Sequence, residues 1–199
     1  MKKLTMLCAA LACLAAAPAF AAGSTKCTGS QLPAYIPGSL DVPAGQVCNL
    51  YGQEVAGNVT VEGTLNSYGT RFDGNVTVTG GVIVISNGNG PAAGLMGNLT
   101  ITGSAGNSQI GCPNISNYIG GNITYTGNSG NLYVCQANVG GGVNVNNNVR
   151  INNDYSGPYS ADLENITAGK AISCTGNTLV QGGGLVAPQV TGDCAPFKQ

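Results

Sequence analysis

The stretch Gly74-Asn75-Val76-Thr77-Val78 recurs in this chain with small changes, and it decides the fold. Successive copies begin 17 to 24 residues apart, a spacing typical of a solenoid whose repeats stack on one another. Within each copy, apolar side chains alternate with polar ones, and this period of two predicts a β-strand with one buried face. The other copies are Gly57-Asn58-Val59-Thr60-Val61, Gly97-Asn98-Leu99-Thr100-Ile101, Gly121-Asn122-Ile123-Thr124-Tyr125 and the variant Gly142-Val143-Asn144-Val145.

Further short strands follow several copies after a glycine-rich corner, as in Val82-Ile83-Val84-Ile85. Two or three strands per turn, with no helical period, predict an all-β, single-domain parallel β-helix of about six to seven coils. The general bias of parallel crossovers predicts a right-handed coil. We expect residues 22–37 to form an irregular N-terminal lead-in or cap, residues 38–194 to form the β-helix, and residues 195–199 to form a C-terminal tail.

The first 21 residues have the pattern of a bacterial signal peptide. Met1-Lys2-Lys3 is basic, residues 4–17 are apolar but too few to span a bilayer, and Ala19-Phe20-Ala21 resembles a cleavage site. A lipid anchor on Cys13 is the alternative, but the residues before it fit a lipobox poorly. The pattern predicts removal of residues 1–21 and a location in the periplasm, on the cell surface or outside the cell, with no membrane span.

Six cysteines remain after removal of the leader, and an even number in an exported chain predicts disulfides. Consecutive partners lie 20 to 23 residues apart, which is about one coil. Adjacent strands are about 4.8 Å apart, within reach of a disulfide. A metal site is the rival interpretation, but the chain has no Cys-x-x-Cys motif and no histidine. We therefore expect neither a metal nor another cofactor, and three disulfides: Cys27–Cys48, Cys112–Cys135 and Cys174–Cys194.

Charge is sparse, because Asp, Glu, Lys and Arg make up 8% of the chain and the net charge is −1 at pH 7. The chain contains no basic patch for nucleic acid and no polybasic run for an anionic membrane. Its surface must be built from Gly, Asn, Thr and Ser instead, a composition that also lacks the charges that usually keep sheet edges apart.

An asparagine follows the glycine of most repeats. Stacked at one corner, these side chains can form a ladder in which each amide bonds to the next coil. The alternative is that asparagine simply suits the local turn. We favour the ladder, with these members: Asn58, Asn75, Asn98, Asn122 and, by alignment, Asn165.

Three consecutive repeats carry Thr-x-Thr on their outward face. In register, these threonines would make a flat array of hydroxyl and methyl groups that resembles the ice-binding face of antifreeze β-solenoids; the same face could bind glycan or another copy. The alternative is that threonine merely suits an exposed strand. The candidate binding residues are Thr77, Thr79, Thr100, Thr102, Thr124 and Thr126.

Catalysis is the less favoured expectation. Glycoside hydrolysis needs two facing carboxylates, and the sequence offers no close pair of this kind. Asp162 and Glu164 would share one strand face, but this stretch could equally be a solvated turn. Arg71 and Asp73 could form an ion pair, and histidine, the commonest general base, is absent. We therefore expect no catalytic residues and no enzymatic activity.

Several segments resemble a largely uncharacterised family of small exported bacterial parallel β-helix proteins with Gly-Asn-Val repeats. They are Val42-Pro43-Ala44-Gly45 followed by Cys48 and Leu50, the repeats themselves, Ser173-Cys174-Thr175-Gly176-Asn177, Gly182-Gly183-Gly184 and Gly192-Asp193-Cys194. The resemblance implies the fold and export rather than a chemistry. The chain also looks distantly like bactofilins, cytoskeletal β-helices that polymerise end to end but lack a signal peptide and a cysteine framework.

These observations predict an exported, non-enzymatic structural or adhesive β-helix that self-assembles end to end or binds surface or matrix polysaccharide. A binding module that uses the Thr-x-Thr face for glycan or ice is the alternative. A polysaccharide-active enzyme is the second alternative.

Overall fold

A computed structural model describes residues 23–29, 31–86, 93–111, 116–150 and 158–199 of the chain. These residues form a parallel β-solenoid of about seven turns, built from 21 strands. Every strand pairing among them is parallel, and each strand pairs with its counterpart one coil away. The only helical element of the described residues is one 3-10 turn, Ala195–Phe197. The prediction of an all-β parallel β-helix is confirmed.

The coil has three faces. Face A is a nine-stranded sheet: β1 (Thr25–Lys26), β3 (Leu40–Val42), β6 (Val59–Val61), β9 (Val76–Thr79), β12 (Leu99–Thr102), β15 (Ile123–Thr126), β17 (Val143–Asn146), β19 (Ile172–Thr175) and β21 (Val190–Gly192). Face B contains β4 (Val47–Tyr51), β7 (Thr64–Tyr68), β10 (Val82–Ser86), β13 (Ser108–Ile110), β20 (Val180–Gly183) and the first halves of β16 (Leu132–Val139) and β18 (Ala161–Ala168). Face C contains β2 (Tyr35–Ile36), β5 (Glu54–Val55), β8 (Arg71–Phe72), β11 (Gly94–Leu95), β14 (Asn117–Ile119) and the second halves of β16 and β18.

Faces B and C belong to one twelve-stranded sheet because β16 and β18 run through the corner between them. The two strands turn this corner at Gln136 and Asn165, whose φ angles are 50° and 51°. Residues other than glycine rarely adopt this left-handed backbone conformation, although asparagine does so more easily than most.

Every second side chain along a strand points into the coil. Inside, the side chains at equivalent positions of successive coils stack on one another. One inner column contains Val59, Val76, Leu99, Ile123 and Val143, all at most 1% exposed. Burying each such side chain contributes roughly 1.5–3 kcal/mol, so the column is a main source of stability. A single coil could not bury its apolar face, which is why the repeats fold together.

Two disulfides join consecutive coils as predicted. Cys27 bonds to Cys48 and Cys174 bonds to Cys194, with Cα–Cα separations of 5.7 Å and 5.4 Å. Cys135 is also disulfide-bonded, whereas Cys112, its predicted partner, lies outside the described residues, as does the predicted signal peptide 1–21. Disulfides of this kind indicate an oxidising, extracellular-type environment.

Both segments that flank the predicted β-helix contact its end coils. Within the predicted irregular lead-in, 22–37, β1 pairs with β3 and β2 pairs with β5. At the other end, the tail 195–199 returns to the last coil, where Leu185 donates to the Phe197 carbonyl and Gln199 donates to the Leu185 carbonyl. Both segments satisfy backbone groups that the end coils would otherwise leave unpaired.

Candidate functional site

The predicted threonine array lies on face A in register. Thr77, Thr100 and Thr124 are paired neighbours in one column, and Thr79, Thr102 and Thr126 form a second column beside it. All six side chains are exposed or half-buried. Strand geometry sets the columns' repeat at about 4.8 Å along the rod and their separation at about 6.7 Å across it. The residues therefore form a regular grid of small hydroxyl side chains.

Polar neighbours extend this grid in both directions. Thr60 precedes Thr77 in the first column, and at the other end the columns continue as asparagine, serine and threonine. At the N-terminal end the columns meet charged side chains: Asp41 pairs with Thr60, Lys26 pairs with Asp41, and Glu62 directly follows β6. We call the uncharged part the face A array: Thr60, Thr77, Thr79, Thr100, Thr102, Thr124, Thr126, Asn144, Asn146, Ser173, Thr175 and Thr191.

The corner that leads into face A carries the predicted amide ladder. In each step, the backbone N–H and the Nδ2 of one asparagine donate to the Oδ1 of the asparagine one coil earlier. The steps join Asn58, Asn75, Asn98 and Asn122, with N–H···O distances of 2.8–2.9 Å, and the last Oδ1 accepts from the Gly142 N–H. The side chains therefore lock successive coils at one angle of the rod.

Asn165 does not belong to this ladder, which corrects the alignment made from the sequence. It lies at the corner of β18 between faces B and C, where its neighbours in register are Gln136 and the Gly184 region. The residue in the ladder position of that coil is Ala171, whose carbonyl accepts from Val143 N–H. Each asparagine of the ladder follows a glycine, whereas Asn165 follows Glu164.

A second amide ladder, which sequence reasoning missed, lies at the corner that leaves face A. Asn128 donates from its backbone and its Nδ2 to Asn148 Oδ1, both at 3.0 Å. Asn148 donates likewise to Asn177, and Asn177 donates to the Asp193 carboxylate at 3.2 Å. Unlike the first ladder it is largely buried, with Asn148 at 0% exposure. Part of the signal was in the sequence, because Thr-Gly-Asn ends the face A strands at Asn128 and Asn177, whereas Asn148 follows Asn146-Asn147.

Face B presents an aromatic pair at its N-terminal end. The Tyr51 and Tyr68 rings stack with centroids 5.3 Å apart and planes inclined by 9°. They lie in register on β4 and β7, as do Asn49 and Asn66, whose amides are bonded at 2.9 Å. Both pairs are 17 residues apart, the same separation as Asn58 and Asn75, and this spacing was the overlooked signal.

The strongest carboxylate cluster lies further along face B. Asp162 and Glu164 project from the same side of β18, and the Tyr133 hydroxyl donates to Glu164 Oε2 at 3.3 Å. Burial raises the pKa of Asp162, and the charge of Glu164 raises it further. Among the residues that the structure describes, none hydrogen-bonds to Asp162 Oδ1. A cleft of about 340 Å³ lies beside them, lined by Val84, Asn107, Ser108, Gln109, Asn131, Tyr133 and Asp162.

The predicted ion pair is present, because Arg71 Nε donates to Asp73 Oδ1 at 2.6 Å on face C. Over the described ranges, no group of three or more His, Cys, Asp or Glu side chains is placed to hold a metal ion. In the same residues, no helix is long and apolar enough to cross a membrane. Comparison of the chain with family models, curated proteins and solved structures finds no match, so the geometry alone supports the functional proposals that follow.

Proposed function

We propose that this chain is an exported, non-enzymatic β-helix that acts as a structural and adhesive element in the periplasm, on the cell surface or outside the cell. It binds surface or matrix polysaccharide through the face A array. The observation that carries this proposal is the uncharged grid of hydroxyl and amide side chains, held in register over successive coils of face A.

Two physical properties of the array favour an extended, neutral polymer as its ligand. Hydroxyl and amide side chains donate and accept hydrogen bonds without charge, as sugar hydroxyls do. The side chains are also fixed by strands on both sides and by the amide ladder at the neighbouring corner, so binding would order little that is not already ordered. Weak contacts repeated along the rod would add up through their effective concentration.

The two ends of the rod favour lateral binding over end-to-end assembly. At the N-terminal end, β1 and β2 pair with the next strands of faces A and C, and the Cys27–Cys48 disulfide ties the segment down. At the C-terminal end, the tail bonds to Leu185 and the Cys174–Cys194 disulfide closes the last coil. These segments occupy positions that a second rod would need.

The test is co-sedimentation of the oxidised protein with insoluble neutral polysaccharides, such as cellulose, mannan and peptidoglycan-free cell-wall glycan. The informative variant is Thr100→Lys with Thr124→Lys, which places two long charged side chains at the centre of the face A array. The matched control is Asn138→Lys with Thr167→Lys, because these residues are also paired on adjacent coils but lie on face C.

We expect the face A variant to bind roughly tenfold more weakly, a change of about 1.4 kcal/mol, and the face C variant to bind like the unmodified protein. Equal binding by both variants, or no retention of the unmodified protein on any polysaccharide, would refute the proposal. Thermal hysteresis of the unmodified protein, lost in the face A variant, would instead assign the array to ice.

The cleft beside Asp162 favours a second candidate function, hydrolysis of a polysaccharide. A carboxyl whose pKa is raised can serve as a general acid, and Glu164 is the carboxylate beside it. This candidate is weaker because both groups come from one strand instead of facing each other, and Glu164 is bonded to Tyr133. Release of reducing ends that disappears in Asp162→Asn and Glu164→Gln, but not in Thr167→Ala, would establish it.

A further inference from the structure

Tyr51 is the first member of the two-ring stack on face B, and it lies on the N-terminal strand of that face. The side chain is 67% exposed, whereas Tyr68, one coil further along, is 40% exposed. A cleft of about 350 Å³ lies here, at the lower end of the range typical of small-molecule sites. The cleft is lined by Gly29, Gln31, Leu32, Asn49, Tyr51 and Gln53.

The amides beside Tyr51 are each left with an unused donor. Asn49 Oδ1 accepts from Asn66 Nδ2 at 2.9 Å, and Gln53 Oε1 accepts from the Tyr51 backbone N–H. These bonds fix the orientation of both amide groups. Among the described residues, neither Asn49 Nδ2 nor Gln53 Nε2 makes a hydrogen bond. The first coil of face B therefore presents an aromatic ring and two oriented amide NH2 groups. In a longer rod, a preceding coil could continue the tyrosine stack and the asparagine pairing at this position.

We propose that this cleft is a binding subsite for one sugar ring of a neutral oligosaccharide. A pyranose has an apolar C–H face that can pack on the Tyr51 ring, and a rim of hydroxyl oxygens that can accept from Asn49 Nδ2 and Gln53 Nε2. None of the described residues that line the cleft is charged, so they offer nothing to neutralise a uronic acid or a phosphate.

A second copy of the chain is the rival occupant, and the disulfide at this end argues against it. Cys48 lies on β4 itself and is bonded to Cys27 of the lead-in. Leu32 of the same segment packs against the core and lines the cleft. A strand from another molecule would have to displace this tethered segment to pair with β4, whereas a single ring fits beside it.

The subsite is on face B and shares no residue with the face A array, so the two proposals can fail separately. It goes beyond the proposed function by assigning a discrete site, a stacking residue and two hydrogen-bond donors. A polymer lying on face A is not required for it.

The test is a titration of the oxidised protein with soluble cello-oligosaccharides and manno-oligosaccharides, with oligogalacturonide as the acidic comparison. The chain contains no tryptophan, so its tyrosine emission can report the contact directly, and calorimetry gives the affinity. The variants are Tyr51→Ala, Tyr51→Phe and Gln53→Ala. Tyr118→Ala is the matched control, because Tyr118 is an exposed strand tyrosine on face C.

We expect Tyr51→Ala to weaken binding of a neutral oligosaccharide roughly tenfold or more, the scale of one lost aromatic stacking contact. Tyr51→Phe should keep most of the affinity, Gln53→Ala should lose part of it, and Tyr118→Ala should behave like the unmodified protein. Matching thermal transitions would show that the variants are folded.

Three results would overturn the assignment. The first is no binding of either neutral series, and the second is equal affinity in Tyr51→Ala and the unmodified protein. The third is concentration-dependent association of the protein that Tyr51→Ala abolishes, which would give the cleft to a second copy. In each case, retention of the Thr100→Lys and Thr124→Lys effect on insoluble polysaccharide would show that the face A proposal still stands.

Discussion

At the scale of single residues, the same asparagine side chain serves two ladders in different surroundings. Asn98 bonds to both neighbouring coils at the edge of face A, where it is exposed to water. Asn148 makes equivalent bonds with no exposure, and its Nδ2 also donates to the Tyr125 carbonyl at 3.0 Å. Water can replace a lost partner in the first ladder but not in the second.

We therefore predict that Asn148→Ala lowers the free energy of unfolding by about 3 kcal/mol and Asn98→Ala by about 1 kcal/mol. The difference arises because the buried substitution strands donors of Asn128 that no solvent can reach. Urea denaturation of the oxidised proteins measures both values, with Asn144→Ala as a surface control on face A. Equal losses at the two positions would contradict the role assigned to burial.

Asp162 gives stability a defined pH dependence. Burial raises the pKa of this carboxyl, and Glu164 adds to the shift. The folded state then holds the proton more tightly than the unfolded one, so stability falls as the pH rises from the ordinary value near 3.8 through the raised one. We predict that Asp162→Asn has a higher Tm than the unmodified protein at pH 7, and that the gap closes below about pH 3.

Calorimetric scans between about pH 3 and pH 7 measure this difference in Tm. Glu62→Gln is the matched control, because it neutralises an exposed carboxylate at the edge of face A. A gap that is constant with pH would mean that the substitution acts through packing and not through the proton.

At the scale of the elements, successive coils lie so close together at the repeat glycines that a side chain has no room there. A Cβ built on Gly97 would lie 2.4 Å from the Gly74 carbonyl oxygen, and one on Gly74 would lie 2.5 Å from that of Gly57. Real Cβ atoms do not approach backbone this closely, so any side chain there would push the coils apart.

We predict that Gly97→Ala lowers the free energy of unfolding by about 3 kcal/mol, since neither backbone can move without breaking ladder bonds. Gly183→Ala is the control, because a Cβ there meets nothing within 4 Å. Thermal denaturation compares the two directly. Similar transitions for both variants would show that the coils can separate locally at little cost.

This closeness also explains how far the sequence could predict the structure. The fold, the Cys27–Cys48 and Cys174–Cys194 disulfides and four ladder members follow from the repeat spacing, because coil length fixes which residues meet. The alignment failed at Asn165 because Asn165-Ile166-Thr167 copies the repeat, although Glu164 precedes it where the ladder repeats have glycine. Asn148 and Asn177, which are bonded on successive coils, are 29 residues apart in sequence. This coil is longer than the others, so the repeat spacing did not predict which of its residues pair with the preceding coil.

The candidate sites were harder to predict than the fold. The threonine array could be read from Thr-x-Thr alone, since both threonines of a strand face outward together. The Tyr51 cleft depends on the lead-in passing beside β4, and residues 22–37 carry no repeat from which that path could be inferred. The position of such a non-repeating segment depends on the residues it packs against, and a local sequence pattern does not reveal these residues.

At the scale of the whole molecule, the chain is a rod whose two ends are occupied by its own terminal segments. The tail 195–199 bonds to both the N–H and the carbonyl of Leu185. It also supplies Phe197, which packs against the core. Removing it would expose these groups and a row of unpaired strand edges.

We predict that the full chain forms discrete rods at every concentration, and that a chain ending at Cys194 associates end to end as concentration rises. Negative-stain electron microscopy and analytical ultracentrifugation measure this, and Lys198→Ala with Gln199→Ala is the control that keeps the backbone bonds of the tail. Filaments of the full chain, or a truncated chain that stays discrete, would contradict the protective role of the tail.

The two amide ladders run in opposite directions along the rod. In the ladder that begins at Asn58 each carbonyl oxygen faces the later coil, whereas in the ladder that ends at Asp193 each faces the earlier one. Aligned amide groups add their dipoles as they do in a helix, so two opposed rows largely cancel. The rod can thus be lengthened by further coils without acquiring an electric polarity that would draw the tip of one molecule towards the opposite tip of another.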